Sequence, residues 1–383
     1  MASSSTCPFD DVDVWASAPG RVEFIGNHTD YNGGWVLGAT IDRRVDVGLR
    51  LREDDVLVLR SAQADAGVRV PLNDIEAQSG DQAWANYVLG VLVELQAAGV
   101  EVDRGMELQI QSTVPVGAGL SSSAALELAT ARAVVEAAGE DLPRTQLAQL
   151  CRRAENEFVG VPCGILDQAV VAFGDEDRLV RVDARTDSVT SVPFPSRTQI
   201  WIFRTHQAHA LADAHYQERH DEARAARDRL DDVLGGVEHL VDVPPDRLEE
   251  VQSDLSDVLY RRARHVSTEH RRVERAVRLL HDEQYAAVGD LLFASHESSR
   301  TDYENSTEEL DFVVERLKGV DSVLGARLTG AGFGGAAMAW TQEDFGRAAA
   351  EAVAAAYADE FGAELEVLAC RPAPGVFARS ASV

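Results

Sequence analysis

The spacing of hydrophobic residues in the first half of the chain changes repeatedly between two periods. Short valine- and leucine-rich segments bounded by polar residues or glycine are typical of β-strands. Longer segments with apolar residues every three or four positions, followed by glycine, are typical of helices. On these patterns we expect strands at 36–41, 45–51, 56–59 and 106–110, and helices at 84–98, 122–138 and 144–158.

The second half has a different pattern. Residues 211–292 are charged, poor in glycine and mostly helical in their spacing, with a break at the VDVPP segment, 241–245. A glycine cluster at 330–335 precedes a strand, an alanine-rich helix and a last strand at 364–370. The turn-rich segment 192–195 separates the two halves. The chain is therefore expected to be an α+β protein with two domains, residues 1–195 and 196–383.

The charge of the chain excludes some classes of partner. Its 383 residues carry 36 basic and 64 acidic side chains, a formal net charge of −28. Such a surface repels nucleic acids and anionic membranes, so we expect neither as a partner. The 45% hydrophobic content is enough to form real cores.

Lysine is nearly absent, since Lys318 is the only one in the chain. An acidic surface with little lysine fits a halophile, whose high-salt cytoplasm screens the repulsion between carboxylates. Codon bias in a GC-rich genome with a generally acidic proteome is the alternative explanation.

The four cysteines and the N-terminus indicate the compartment. Cys7, Cys151, Cys163 and Cys370 are widely spaced and form no CxxC pair, so reduced thiols are expected. The first residues lack the basic start and apolar run of a signal peptide. No apolar stretch approaches the ~20 residues that span a bilayer. We expect a cytoplasmic protein, either a monomer or a weak homo-oligomer.

One glycine- and serine-rich loop, PVGAGLSSS at 115–123, lies between a predicted strand and a long helix. Glycines let the backbone approach a phosphate, and the free N–H groups of a helix N-terminus attract anions. The alternative is an ordinary capped helix after a tight turn. A P-loop or a protein-kinase fold would need a lysine on the phosphates, and none is available here.

The second glycine cluster, GAGFGG at 330–335, matches the GxGxxG pattern of dinucleotide-binding folds. Too little chain follows it for a nucleotide-binding βαβ sheet. We therefore interpret it as a close-packed turn between elements.

Three separated motifs carry a resemblance to a known family. They are APGRVEFIGNHTDYNGG at 18–34, VPVGAGLSSSAALE at 114–127 and RLTGAGFGGA at 327–336. The first, taken alone, would be an ordinary charged loop between strands. Together, and with further segments at 84–91, 154–168, 216–219, 261–276 and 295–311, they resemble galactokinases of the GHMP small-molecule kinase family.

The resemblance covers about residues 16–376 and implies both fold and activity. It implies a ribosomal-protein-S5-like N-domain and a ferredoxin-like C-domain with the active site between them. It also implies transfer of a phosphoryl group from ATP to the anomeric (C1) hydroxyl of galactose, with Mg²⁺. By the same resemblance, Asp167 is the catalytic base and Arg21 keeps it ionised and stabilises the transferring phosphoryl group. Without the rest of the constellation, this pair would be read as a structural salt bridge.

The resemblance assigns further residues to substrates and metal. The ATP phosphates would be bound by Gly117, Ala118, Gly119, Leu120, Ser121, Ser122 and Ser123. Magnesium would be held by Ser123 and Glu155, whose oxygens suit a hard cation. The sugar would be bound by Asn27, His28, Thr29, Asp30, Gly164 and Tyr216. Taken singly, His28 would be a capping or core histidine and Glu155 a solvated helix residue.

The chain departs from the family at one position. Most galactokinases have Glu-His-Thr-Asp where this chain has Asn27-His-Thr-Asp30, and that glutamate accepts a hydrogen bond from the sugar 6-hydroxyl. Asparagine accepts a hydrogen bond without a negative charge, so a 6-carboxylate sugar would be tolerated. Alternatives to galactose are therefore galacturonate, arabinose or an amino sugar. A non-catalytic galactose sensor is a third hypothesis, disfavoured because Ser121–Ala125 and Asp167 are intact.

Overall fold

The computed structural model describes residues 7–115, 117, 119–208 and 212–380. Within these ranges the strands form two sheets, one of eight strands and one of four. The first sheet consists of β1 (Val14–Ile25), β2 (Trp35–Leu51), β3 (Val56–Ser61), β4 (Val68–Pro71), β5 (Met106–Ser112), β6 (Arg178–Asp183), β7 (Ser188–Pro193) and β12 (Phe377–Ser380). The second consists of β8 (Thr198–Ala208), β9 (Val323–Thr329), β10 (Gly334–Gln342) and β11 (Glu366–Cys370).

The first sheet has the order β12-β1-β2-β5-β3-β4, and β6 and β7 extend from β2. Two expectations for this region need correction. Residues 18–25, which resemble a charged loop, form the second half of β1, all of whose residues are buried. The strands expected at 36–41 and 45–51 are one strand, because β2 pairs with β1 from Leu49 to Leu37 with only local register shifts.

Four helices belong to this half: α1 (Asn86–Ala97), α2 (Ser122–Ala137), α3 (Arg144–Arg153) and α4 (Leu166–Phe173). Helix α2 packs on β1 and β2, and alanine is the commonest residue among its buried positions, which permits close approach to the strands. Helix α3 is shorter than the expected 144–158 because the chain widens into a π-helical turn at Ala154–Val159. That turn carries Glu155.

The second sheet has the order β11-β8-β10-β9, with all pairs antiparallel. Helices α5 (Ala212–Leu234), α6 (Pro245–Glu250), α7 (Asp257–His281), α8 (Tyr285–Ser298) and α9 (Glu308–Lys318) lie between β8 and β9, and α10 (Arg347–Phe361) joins β10 to β11. The strand order and the β-α-β-β-α-β succession are those of a ferredoxin-like domain. The α+β fold with an S5-like first half and a ferredoxin-like second half is therefore confirmed.

Two segments connect the two halves, namely the passage between the sheets and the last strand, β12. The passage from one sheet to the other lies between Pro193 and Thr198, next to the predicted boundary at residue 195. Strand β12 returns from the second half and pairs with β1. Within the described ranges, no helix has both the length and the apolar character required to cross a bilayer. All four cysteines are free.

Candidate active site

The site is built around β1 where it passes the N-termini of two helices. Arg21 and Glu23 are two residues apart on this strand, so their side chains lie on the same face of the sheet. The backbone N–H of Arg21 donates to the carbonyl oxygen of Leu120 at 3.0 Å, which fixes the glycine- and serine-rich loop against the strand. Gly20 allows this contact, since a Cβ there would lie 2.8 Å from the same oxygen.

Asp167 lies in the first turn of α4, with about a quarter of its side chain exposed. Arg21 donates to its Oδ1 at 2.7 Å from Nε, and Arg21 Nη2 lies 2.6 Å from the same oxygen. Ser121 Oγ donates to the other oxygen, Oδ2. Oδ2 accepts only this one hydrogen bond among the described residues and has a second lone pair, so Asp167 retains the capacity to accept the proton of a bound hydroxyl.

The predicted phosphate loop has a conformation suited to an anion. Gly117, Gly119 and Ser121 have φ of 70°, 67° and 54°, and no side chain caps the N-terminus of α2 that follows. The first turn of α2 contains no acidic residue. Its free N–H groups are therefore available to an anionic ligand. Leu120 is buried, Ser122 and Ser123 are half-buried, and the predicted Ala118 lies outside the described residues.

The second glycine cluster meets this loop directly. A Cβ on Gly330 would lie 3.3 Å from the carbonyl oxygen of Gly119. Residues 330–333 line the same cavity as Arg21 and Asp167. The cluster is thus a turn that closes over the site and supports the first loop, as the resemblance implies.

A cavity of about 240 Å³ opens beside Asp167. Most of the predicted sugar-binding residues line it, together with the predicted base and metal ligand: Arg21, Asn27, His28, Asp30, Glu155, Gly164, Asp167 and Tyr216. Glu23, Leu166 and Phe333 also line it and were not predicted.

Thr29, which was predicted to bind the sugar, is not among the described residues that line the cavity. Its hydroxyl lies 2.8 Å from the carbonyl oxygens of Gly26 and Trp35, so the expected contact with sugar is replaced by a bond that stabilises the turn.

Asp30 and Gly164 both line the cavity and lie in direct contact with each other. A Cβ on Gly164 would be 1.9 Å from Oδ2 of Asp30, so only glycine permits this approach. Burial, and then the negative charges of Glu23 and Asp167, raise the pKa of Asp30 to about 7. Asp30 is therefore a carboxyl group poised to exchange a proton near neutral pH.

His28 is held in a left-handed conformation with φ of 60°. Its Nε2 donates to the carbonyl oxygen of Ala331 at 3.0 Å, so Nδ1 accepts from the Tyr31 hydroxyl at 2.8 Å. Burial lowers the pKa of His28 to about 3, which keeps the ring neutral. Both ring nitrogens are thus engaged within the protein. The ring holds the second glycine cluster in place and presents its edge and face to the cavity beside Tyr216.

Asn27 is almost fully buried, and its amide is engaged on both sides. Its Nδ2 donates to Gly330 O at 2.8 Å and to Glu23 Oε1 at 3.1 Å. Its Oδ1 accepts from Asn305 Nδ2 at 2.8 Å and from Ser299 Oγ at 3.3 Å. Residue 27 carries no charge, as the sequence indicates, but the carboxyl group of Glu23 lies in hydrogen-bond contact with Asn27 and lines the same cavity.

Ser123 and Glu155, the residues predicted to hold magnesium, offer a hydroxyl and a carboxyl group that contact each other. Burial, and then the charge of Asp167, raise the pKa of Glu155, and hydrogen bonds from Cys163, Gln168 and Ser123 oppose this rise. Gln168 Nε2 bridges Glu155 Oε2 at 2.6 Å and Glu127 Oε2 at 3.1 Å. In the described part of the chain neither glutamate forms a salt bridge, and Glu127 Oε1 has no hydrogen-bond partner. This uncompensated pair of carboxylates and a hydroxyl fit a hard divalent cation that takes its remaining ligands from phosphate and water.

Glu23 and Gln168 are polar site residues that sequence reasoning missed, in addition to the apolar Leu166 and Phe333. The sequence does contain a signal for Glu23. It follows Arg21 by two positions, which places both side chains on one face of the sheet once the segment is known to be a strand. Gln168 follows Asp167 directly, but its bridge to Glu127 joins residues 41 apart and has no local signal.

Comparison with known proteins agrees with this geometry. The galactokinase galactose-binding signature matches residues 8–50, the GHMP kinase N-terminal domain 86–175 and the GHMP kinase C-terminal domain 276–359. The chain is 37% identical over 363 residues to a galactokinase of Roseiflexus sp., covering 95% of this chain and 92% of that protein. It is also 37% identical to a galactokinase of Thermotoga neapolitana, covering 94% and 98% of the two chains.

Solved structures give the same result. The crystal structure of Lactococcus lactis galactokinase complexed with galactose superposes with a TM-score of 0.92 at 34% identity, covering 96% of each chain. Mevalonate kinase of Methanococcus jannaschii has a TM-score of 0.66 at 18% identity, covering 94% of this chain and 98% of its own, which shows the shared fold. At 37% identity over 95% of its length, this chain belongs to the galactokinase family of GHMP kinases.

Proposed function

We propose that this protein transfers the γ-phosphoryl group of ATP to the anomeric hydroxyl of galactose, giving galactose 1-phosphate and ADP. The observation that carries the proposal is the position of Arg21. Its guanidinium donates both to Asp167 and, from Nη1, to the carbonyl oxygen of Gly119 in the phosphate loop. One cation thus joins the carboxylate at the sugar cavity to the loop that would bind ATP.

The chemistry follows from these positions. A C1 hydroxyl placed in the cavity beside Asp167 would donate its hydrogen bond to that carboxylate, which accepts the proton as the oxygen attacks phosphorus. Arg21 would stabilise the negative charge that develops on the transferring group. The loop at 117–123 would hold the phosphates by backbone N–H groups, in place of the lysine that other kinases use.

The sugar would be oriented by the walls of the cavity. Asp30 and Glu23 would accept hydrogen bonds from hydroxyl groups, and Tyr216 would contact one face of the ring. A sugar ring is a suitable ligand because the lining combines hydrogen-bond acceptors for its hydroxyl groups with apolar surface, such as that of Leu166 and Phe333, for its C–H groups.

The proposal includes magnesium, held by Ser123 and Glu155 together with the phosphates of ATP. When bound, the ion would neutralise phosphate charge and orient the transferring group. The cytoplasmic location and the state of monomer or weak homo-oligomer stay predictions, as does the halophilic origin.

The direct test is an assay of the purified protein with ATP, Mg²⁺ and a panel of sugars, with the product identified by phosphorus NMR. We expect phosphorylation at C1 of galactose, with much lower activity on galacturonate, arabinose and galactosamine. Preference for one of the other sugars would reject galactose as the substrate but not the site. Galactose binding without turnover would instead support the sensor hypothesis.

A further inference from the structure

The carboxyl group beside Asn27 in the cavity belongs to Glu23. We propose that Glu23, rather than Asn27, is the specificity-determining residue that accepts a hydrogen bond from the sugar 6-hydroxyl and excludes sugars carrying a carboxylate there. The inference rests on the proposed function, since it concerns how the same cavity recognises galactose.

The side chain of Glu23 has the right placement. It follows Arg21 by two positions on β1, so both project into the cavity that also contains Asp30 and Asp167. Only about 5% of the Glu23 side chain is exposed. A ligand in the cavity would therefore meet a largely desolvated carboxylate, at which a hydrogen bond is strong and a second negative charge is costly.

The two oxygens of Glu23 differ in their partners. Oε1 accepts from Arg327 Nη1 at 2.8 Å and from Asn27 Nδ2 at 3.1 Å. Oε2 has, within the described ranges, only a long 3.5 Å contact with the same Asn27 nitrogen. A good N–H···O bond is shorter than this, so Oε2 retains its capacity to accept. One oxygen anchors the side chain and the other is available to a ligand.

Asn27 has no such capacity left. An amide has two donor hydrogens and an oxygen with two lone pairs, and all four are used by Glu23, Gly330, Asn305 and Ser299. Its contacts place it as a support for Glu23 and for the second glycine cluster. The negative charge expected of residue 27 is therefore present in this chain four residues earlier.

Arg327 anchors the side chain of Glu23. Burial raises the pKa of the Glu23 carboxyl, and the positive charge of Arg327 opposes this rise. Arg327 is completely buried, and its guanidinium also donates from Nε to Ser295 Oγ at 3.1 Å. A buried guanidinium requires a counter-charge, which Glu23 provides at hydrogen-bond distance. Arg327 thus fixes the position of the Glu23 carboxyl group without contacting the ligand. Asn27 holds the same carboxyl group through a second hydrogen bond to Oε1.

Four variants test the proposal. Glu23→Gln removes the charge and keeps the size of the side chain. Asn27→Glu places a second carboxylate beside the first. The double variant Glu23→Asn with Asn27→Glu returns to one carboxylate, at position 27. Glu53→Gln is the control, since it makes the same charge change at an exposed position in the loop after β2.

Steady-state kinetics with galactose and galacturonate, with ATP affinity and melting temperature measured in parallel, give the answer. We expect Glu23→Gln to raise KM for galactose roughly ten- to a hundredfold and to reduce the discrimination against galacturonate. Asn27→Glu should also impair galactose, and the double variant should recover most of the loss. ATP affinity should stay at the wild-type value throughout.

Two results would overturn the proposal. One is a Glu23→Gln protein that matches Glu53→Gln with both sugars, and the other is a folded double variant no better than the worse single one. If Glu23→Gln does not fold because Arg327 lacks its counter-charge, Glu23→Asp keeps the charge but withdraws the oxygen. Its KM for galactose must then rise, and an unchanged value refutes the role. Absence of wild-type turnover with galactose would instead reject the proposed function.

Discussion

Arg21 Nε lies 2.7 Å from Asp167 Oδ1, although 146 residues separate the two in the sequence. The contact joins β1, a strand whose residues are all buried, to the first turn of α4. Arg21 also donates to the carbonyl oxygen of Gly119. The same guanidinium therefore positions the carboxylate at the sugar cavity and the loop at the N-terminus of α2.

Magnesium dependence tests the pair Ser123 and Glu155. Ser123→Ala and Glu155→Gln each remove an oxygen ligand or its charge, so each should raise the magnesium concentration needed for half-maximal activity several-fold. Glu157→Gln, an exposed residue on the same π-helical turn, is the matched control and should leave the titration unchanged. Unchanged titrations for both test variants would place the metal elsewhere.

Gly164 tests the close wall of the cavity. Because a Cβ at this position would lie 1.9 Å from Asp30 Oδ2, Gly164→Ala must displace Asp30 or its own loop. A displacement of about 1 Å at a binding group lowers catalytic efficiency by roughly a hundredfold, and kcat/KM for galactose should fall accordingly. Gly346→Ala, where a Cβ meets open space, should behave as wild type. Equal efficiencies for the two variants would contradict this packing.

The acid limb of the pH profile tests Asp30. Burial and the charges of Glu23 and Asp167 raise the pKa of Asp30 to about 7, and a protonated Asp30 is a poorer acceptor for sugar hydroxyls. Catalytic efficiency for galactose should therefore fall as the pH drops below about 7. Glu23→Gln removes one negative charge that raises this pKa, so the fall should move to lower pH. A limb that stays in place in this variant would show that another group titrates.

Salt dependence tests the meaning of the acidic surface. With a net charge of −28, the melting temperature should rise as KCl increases from dilute buffer to molar concentration. The screening length shrinks from ~30 Å at 0.01 M to ~3 Å at 1 M, which weakens the repulsion between carboxylates. Sorbitol at matched osmolality controls for non-ionic effects. A melting temperature indifferent to KCl would favour the codon-bias explanation.

The sequence was sufficient for contacts that depend on motifs and local periodicity. It predicted α2 nearly to the residue, because helical patterning is a local signal. The pairing of Arg21 with Asp167 was implied instead by the resemblance of three motifs to galactokinases, and the structure brings the two side chains into contact. Residues 18–25 resemble a loop because their small and polar residues conceal a strand buried on both faces. That burial depends on β2 and also on α2 and α4, two helices that are distant in sequence.

Pairings between distant residues could not be predicted in the same way. Glu23 meets Arg327 across 304 residues, and no periodicity signals that contact. A single residue difference at Asn27 therefore suggested a lost charge, whereas the fold places another carboxylate beside it. Thr29 differs from these cases, since its hydroxyl makes local contacts with the carbonyl oxygens of Gly26 and Trp35, which depend on the conformation of the turn.

Asp167→Asn tests the central claim most directly. Asparagine keeps the size of the side chain and can still accept from Arg21, but it cannot take a proton. We expect kcat for galactose to fall by about 10²- to 10⁴-fold, while calorimetry shows unchanged ATP affinity and an intact thermal transition. Asp175→Asn, an exposed aspartate just after α4, should retain wild-type turnover. A folded Asp167→Asn protein with near-normal kcat would contradict the assignment of Asp167 as the base.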